Sequence, residues 1–267
     1  GGGRANFLPV TEADPEYPDK QGRRTDGRHL INEWLAGGSA RTYVWNQGQF
    51  ATYQVQAARQ LLGLFEPSHL QFEADRSKDP AGEPSLTDMT RLALSQLQKN
   101  DSGYFLLVES GRIDHAHHFS NAYRALTDTV EFANAIAAAV AMVDLEKTLI
   151  LVTADHSHTL TISGYPERGN PILGKVVGKS PLPEVDAPPY TTLGYANGPG
   201  YQASYPDLSQ VDTTHKDYRQ IAAVPLAVET HAGEDVAAYA TGLGAEELRG
   251  VMEQNELFVV IRDALFR

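Results

Sequence analysis

Two apolar segments bracketing one long amphipathic stretch constrain this chain more than any other feature of its sequence. Tyr104-Phe105-Leu106-Leu107-Val108, and Leu149 to Val152 between Thr148 and Thr153, are continuous apolar runs of the kind that strands buried on both faces require. Between them, Tyr123, Leu126, Val130, Ala133, Ala137 and Val140 recur at three- and four-residue spacings. That pattern predicts a helix of about six turns with one apolar face. Strand, helix and strand at this separation predict a βαβ unit with a parallel pair. The expected fold class is therefore α/β, with a central, mostly parallel sheet flanked by helices.

The remaining elements are shorter. Leu30 to Leu35 reads as a helix and Arg41 to Val44 as a strand. Gln54 to Leu64 reads as a helix stopped by Glu66-Pro67. Ser85 with Asp88 three residues on is a capping box, followed by Met89, Ala93 and Leu97 at helical spacing. Asp235 to Ala240 is expected to be a short strand, and Leu248, Val251, Met252, Phe258, Ile261 and Leu265 to mark a closing helix. Eight of the fifteen prolines fall between residues 166 and 206, where periodicity is lost. Residues 166–226 are accordingly expected to form a loop-rich insertion into a domain made of residues 1–165 and 227–267.

Composition then limits the chemistry. Asp and Glu outnumber Lys and Arg by 34 to 22, for a net charge of −12, which argues against nucleic-acid binding. Such a chain repels small anions unless bound cations reverse the local field. There is no cysteine, so disulfides and thiolate metal sites are excluded. No stretch approaches the roughly 20 uninterrupted apolar residues of a membrane span. Gly1-Gly2-Gly3-Arg4 carries neither an initiator Met nor a signal peptide, from which we expect a chain that begins partway through a longer protein.

In open α/β sheets, ligands bind beyond the carboxyl ends of the strands. Both apolar runs lead into ligand-type residues there: Glu109-Ser110-Gly111-Arg112-Ile113-Asp114-His115-Ala116-His117-His118 after the first, Ala154-Asp155-His156-Ser157-His158 after the second. A third cluster, Thr230-His231-Ala232-Gly233-Glu234-Asp235, precedes the late strand. Together these clusters hold six of the nine histidines. Each alone has a bland reading: Asp114 and His118 share a helix face and can simply hydrogen-bond, Asp155-His156 can be a turn, and His231 can be structural. At one edge of one sheet, carboxylate and imidazole without thiolate form the ligand set of an open catalytic zinc site.

The segments GGGR, DPEYP, YVWN, LFEP, VESGRIDHAHH, AYRALTDT, VTADHSH, GYPERG, YANGPGY and ETHAGEDVA resemble the alkaline phosphatase family, its animal-type branch in particular, from Gly1 almost to Arg267. The resemblance implies an alkaline-phosphatase-like α/β fold in which residues 166–226 form a crown-type insertion. It implies hydrolysis of phosphate monoesters at alkaline pH, releasing inorganic phosphate, with two Zn2+ and one Mg2+. Asp114, His118 and His231 would bind one zinc; Asp155 and His156 would bind the second, with His158 close by. Glu109 would bind magnesium, and His115 would lie near the phosphate and magnesium site. Glu16, the Phe65 carbonyl, Glu66 and Glu83 match a further Ca2+ site, and oxygen-only ligands suit that ion.

The family's nucleophilic serine, carried in an Asp-Ser-Ala context, and its remaining metal ligands precede the glycine triplet. The resemblance thus makes an N-terminal segment of the same protein a required partner. It also implies a homodimer in an extracellular or periplasmic setting. A related metal-dependent phosphodiesterase or sulfatase, and a non-catalytic metal-binding fragment, remain open from the sequence. Gly169 to Val176 nearly matches a phosphate-binding loop, but Val176 replaces the required Ser/Thr and no buried strand leads into it.

Overall fold

The computed structural model describes residues 1–177 and 188–266. Its main elements run, in chain order, α1 (Leu30–Ala36), β1 (Arg41–Val44), α2 (Gln47–Thr52), β2 (Gln60–Gly63), α3 (Leu86–Leu97), α4 (Arg112–His118), α5 (Ala122–Met142) and β3 (Leu149–Val152). There follow β4 (Ser157–His158), β5 (Leu160–Ile162), β6 (Leu193–Gly198), β7 (Ala222–Pro225), β8 (His231–Ala232), β9 (Tyr239–Gly242) and α6 (Glu256–Leu265). The chain divides into two units, residues 1–110, 130–150 and 240–267 in the first and 111–129 and 151–239 in the second.

In the first unit, β1 and β2 pair in parallel from Arg41 opposite Gln60 to Val44 opposite Gly63. Leu8, Ile31 and Leu64 form a buried cluster, with Phe7, Tyr43 and Leu62 packed against it. Each such aliphatic side chain contributes about 1.5–3 kcal/mol by leaving water. Helix α3 starts where its sequence says it should: the Ser85 hydroxyl accepts from Asp88 N at 3.1 Å, and Asp88 Oδ2 accepts from Ser85 N at 3.2 Å. A charged network lies beside the apolar cluster. Arg4 is wholly buried and donates from Nε to Asp14 Oδ2 at 2.8 Å and from Nη2 to Asp14 Oδ1 at 2.7 Å and Glu16 Oε2 at 2.8 Å. Its Nη1 donates to the Leu64 carbonyl at 3.1 Å.

In the second unit, β5, β6 and β7 form a three-stranded sheet, antiparallel between β5 and β6 and parallel between β6 and β7. The stretch 166–226 thus contributes two paired strands despite its prolines. Strands β4 and β8 pair over two residues, Ser157 opposite Ala232 and His158 opposite His231. Gly198 closes β6 at φ +131°, where a Cβ would lie 2.6 Å from Ser120 Oγ and 2.9 Å from Glu229 Cβ. Only glycine fits that approach.

Several expectations are corrected. Gln54 to Leu64 is not a helix: Ala58 sits at φ +62°, which a right-handed helix cannot contain, and pairing with β1 draws Gln60–Gly63 into a strand. Tyr104 to Val108 is not a strand buried on both faces. Phe105 and Leu107 are 59% and 76% exposed, and the segment carries no ladder among the described residues. A strand's main-chain groups need neighbours on either side, and without them the βαβ pair is not formed. The described residues hold small parallel, antiparallel and mixed sheets rather than one continuous sheet. The late strand runs over Tyr239–Gly242 instead of Asp235 to Ala240, the residues that pair with β3. The closing helix covers only Glu256–Leu265; Gly250, at φ +64°, separates it from Leu248. The helices α1, α3 and α5 and the strand β1 form where the sequence places them.

Candidate metal centre

Helix α4 is a short helix of about two turns whose i, i+4 geometry sets Asp114 and His118 on a common face. His118 Nε2 lies 3.3 Å from Asp114 Oδ2. The β4–β8 ladder supplies the facing side: because His158 and His231 are directly opposed across it, both rings reach the same carboxylate. His231 Nε2 is 3.2 Å and His158 Nε2 is 2.9 Å from Asp114 Oδ1. His156 Nε2 is 3.8 Å from that oxygen, and the His156 and His231 rings stack with centroids 3.5 Å apart. One carboxylate therefore faces four imidazoles.

The electrostatics follow from this crowding. Burial pushes the Asp114 carboxyl upward, but the surrounding His118 and His158 imidazoles outweigh it and hold the group below the ordinary aspartate range. His117 points away from Asp114. Its Nδ1 is 2.8 Å from the Tyr195 hydroxyl and its ring stacks on His158 at 4.7 Å. Burial, and next the proximity of His158, lower its pKa to about 4. A neutral ring packing the back of the cluster is what those contacts describe.

The spacing suits a zinc ion. Two ligand atoms on one tetrahedral zinc, each at about 2.0–2.1 Å, stand about 3.3 Å apart. The Asp114–His118 and Asp114–His231 separations, 3.3 and 3.2 Å, have that length. Ligand atoms of Asp114, His156, His158 and His231 all lie within 4.8 Å of one another. His158 is more central than its place in the sequence suggests, at hydrogen-bond distance from Asp114. Asp155 is less so: its side chain is 83% exposed, 3.5 Å from His156 Nε2. His115 Nδ1 accepts from Arg112 Nη1 at 3.1 Å. Glu109 lies in the first unit and is exposed.

The first unit holds a separate acidic cluster. Carboxylate oxygens of Glu16, Glu66 and Asp79 lie within 4.8 Å of one another. Of the residues singled out from sequence, Glu16 and Glu66 are brought together there. Phe65, next to Glu66, is buried. Glu83 is buried and accepts from Gln71 N at 2.9 Å with Oε1, which leaves Oε2 without a hydrogen-bond partner. Both Asp79 oxygens are likewise buried without a partner. Burial raises Asp79, Glu16 and Glu83, the last to about 8, and facing carboxylates add to the rise at each. Unpartnered oxygens of Asp79 held against the Glu16 and Glu66 carboxylates have the chemistry of a hard-cation site.

Two residues of these sites escaped the sequence reading, Asp79 and Glu229. Asp79 carries the same oxygen-only signal as Glu16, 13 positions beyond Glu66, and could have been found by it. Glu229, two positions before His231, is buried to 0% exposure, which no single sequence announces.

Comparison with known proteins gives these sites a context. The family model for alkaline phosphatase matches residues 1–266. The chain is 44% identical to the tissue-nonspecific isozyme of alkaline phosphatase from Gallus gallus over 264 residues, covering 96% of this chain and 50% of that protein. It is 42% identical to alkaline phosphatase from Gadus morhua, covering 96% and 54%, and 41% identical to the tissue-nonspecific isozyme from Homo sapiens, covering 96% and 49%. The chain thus spans about half the length of the curated relatives it matches. Among solved structures, alkaline phosphatase from Thermus thermophilus superposes with a TM-score of 0.52 at 31% identity, over 62% of this chain and 32% of that one. The enzyme from the Antarctic bacterium TAB5 superposes with a TM-score of 0.56 at 19% identity, over 91% and 56%, a likeness of fold alone.

Proposed function

Because this chain belongs to the alkaline phosphatase family, we propose that it forms the C-terminal part of an enzyme that hydrolyses phosphate monoesters at alkaline pH. The observation that carries the reading is the convergence on the Asp114 carboxylate of His118, 3.3 Å from Oδ2, and His231, 3.2 Å from Oδ1, separations of the length that two ligand atoms on one zinc have. In this reading Asp114, His118 and His231 hold one zinc, Asp155 and His156 contribute to a second beside His158, and Glu109 contributes to a magnesium site. Bound metal would supply Lewis-acid stabilisation of the charge that develops on the oxygens of an in-line phosphoryl displacement.

The chain's own side chains do the holding. Asp114 presents its negative charge to the imidazole cluster, the β4–β8 register sets His158 against His231, and Arg112 orients His115 through its Nδ1. The serine that carries the phosphoryl group, and the remaining metal ligands, come from an N-terminal segment of the same protein; the half-length coverage of the relatives supports this. Residues 166–226 form the crown-type insertion, and the assembled enzyme is an extracellular or periplasmic homodimer, as the family suggests.

The test is a substrate panel on the full-length protein supplied with zinc and magnesium. Turnover of a phosphomonoester should exceed that of a phosphodiester and of a sulfate ester, and a chelator should abolish it. Preference for either of the other esters would replace the reading with that of a related hydrolase.

The acidic cluster of the first unit takes calcium in this proposal, through Glu16, Glu66 and Asp79, with the Phe65 carbonyl and Glu83 beside them. An ion that binds only the folded state stabilises it by about 2.7 kcal/mol at a hundredfold excess over Kd. Calcium is therefore expected to raise the thermal midpoint, and Asp79→Asn to remove most of the rise. An equal rise in the variant would take Asp79 out of the site.

A further inference from the structure

Glu229 is wholly buried in the second unit, and a carboxylate taken out of water must have its oxygens engaged. Both are. Oε1 accepts from the Thr159 main-chain N–H at 2.6 Å and from the Thr159 hydroxyl at 2.7 Å. Oε2 accepts from His158 Nδ1 at 2.7 Å. The main chain of the same residue grips a second imidazole: the Glu229 carbonyl accepts from His118 Nδ1 at 2.6 Å, and the Glu229 N–H donates to the His118 carbonyl at 3.0 Å. A carboxylate and a carbonyl only accept, so Nδ1 of each ring is protonated, and Nε2 is turned toward Asp114, at 2.9 Å for His158 and 3.3 Å for His118.

We infer that Glu229 is the positioning residue of the Asp114–His118 cation site, its carboxylate aiming His158 at Asp114 and its carbonyl aiming His118. Only the identity of the ion rests on the phosphomonoesterase reading above. Hydrogen bonds of this kind fix the tautomer and orientation of metal-binding histidines. Direct coordination by Glu229 does not fit. Two ligand atoms on one zinc stand about 3.3 Å apart, whereas Glu229 Oε2 and His158 Nδ1 are 2.7 Å apart, the length of a hydrogen bond. Gly198, whose missing side chain leaves room for the Glu229 Cβ, keeps the residue pressed into place.

The test is Glu229→Gln in the full-length protein. The amide keeps the volume and one acceptor. With that acceptor held by the two Thr159 donors, its NH2 group faces His158 Nδ1 and excludes the proton from that nitrogen, leaving the ring protonated on Nε2 alone. Competition with a chelator should show zinc held about 10–100-fold more weakly. In the metal-free protein, nitrogen-15 histidine spectra should show one ring lose its Nδ1 proton while the thermal midpoint in chelator stays near that of the parent. A purely structural role would move the midpoint and leave the tautomer alone.

Unchanged zinc retention together with unchanged histidine spectra would overturn the inference. If the Gln variant does not fold, Glu229→Asp reads the same contact: it keeps the charge, draws the carboxylate back by one methylene, and should weaken zinc retention at a near-parental midpoint. Failure of the parent protein to turn over phosphomonoesters while it retains zinc would overturn the functional reading instead, since neither the zinc competition nor the tautomer measurement needs a substrate.

Discussion

Asp114→Ala in the full-length protein is expected to lose zinc and to lower kcat/KM for a phosphomonoester by about 10³-fold or more. Four imidazoles face this one carboxylate, at 2.9, 3.2, 3.3 and 3.8 Å. Its removal takes away the proposed zinc ligand and the carboxylate on which all four rings converge. A bound metal contributes several kcal/mol of charge stabilisation to such a displacement, and each 1.36 kcal/mol is a factor of ten. Metal analysis beside the rate measurement checks the result. A parental zinc content with a parental rate would remove Asp114 from the centre. A thermal midpoint taken in chelator distinguishes loss of the ion from loss of the fold.

Arg4→Met is expected to cost about 3–5 kcal/mol of stability, the effect of deleting one partner from a buried ion pair. The guanidinium is wholly buried and its leading partner, Asp14, is 2% exposed, so the variant strands a carboxylate away from water. The pair also predicts a pH dependence. Burial pushes Asp14 upward, but the hydrogen bonds from Arg4 and from the main-chain N–H groups of Glu16 and Tyr17 more than offset it and hold its pKa below the ordinary value. A depressed carboxyl stabilises the fold above the unfolded pKa of about 3.9 and loses that contribution as pH falls through the lower folded value. The parent should therefore lose stability in strong acid, and the variant should show a smaller loss over the same range. Denaturant midpoints between neutral and acidic pH measure both. An unchanged midpoint at neutral pH would show that the network contributes nothing net.

The parts of this molecule that sequence makes legible are those fixed by local physics. The Ser85–Asp88 box, the three- and four-residue rhythm of α5 and the pairing of Asp114 with His118 all depend on residues within a few positions of one another. The parts that were misread depend on distant partners. Gln60–Gly63 becomes a strand because β1 lies alongside it, and Tyr104 to Val108 has an apolar content that only neighbouring strands can turn into a sheet. The same division runs through the candidate metal centre. Residue types marked Asp114, His118, His156 and His231 as candidate ligands, whereas the acid that orients two of the rings is recognisable only once Glu229 is seen without water and with its oxygens occupied.

The β4–β8 ladder is two residues long, and its opposed pair, His158 and His231, is also part of the candidate site. Slipping this pairing by one position would turn both rings to the opposite side. The described part of the excursion between its ends carries a sheet of its own, β5 to β7, which does not set that register. Lengthening a flexible loop costs little, about 0.6 kcal/mol for each doubling. Descendants of this sequence can therefore lengthen the turns that join those strands while the opposed histidines keep their register.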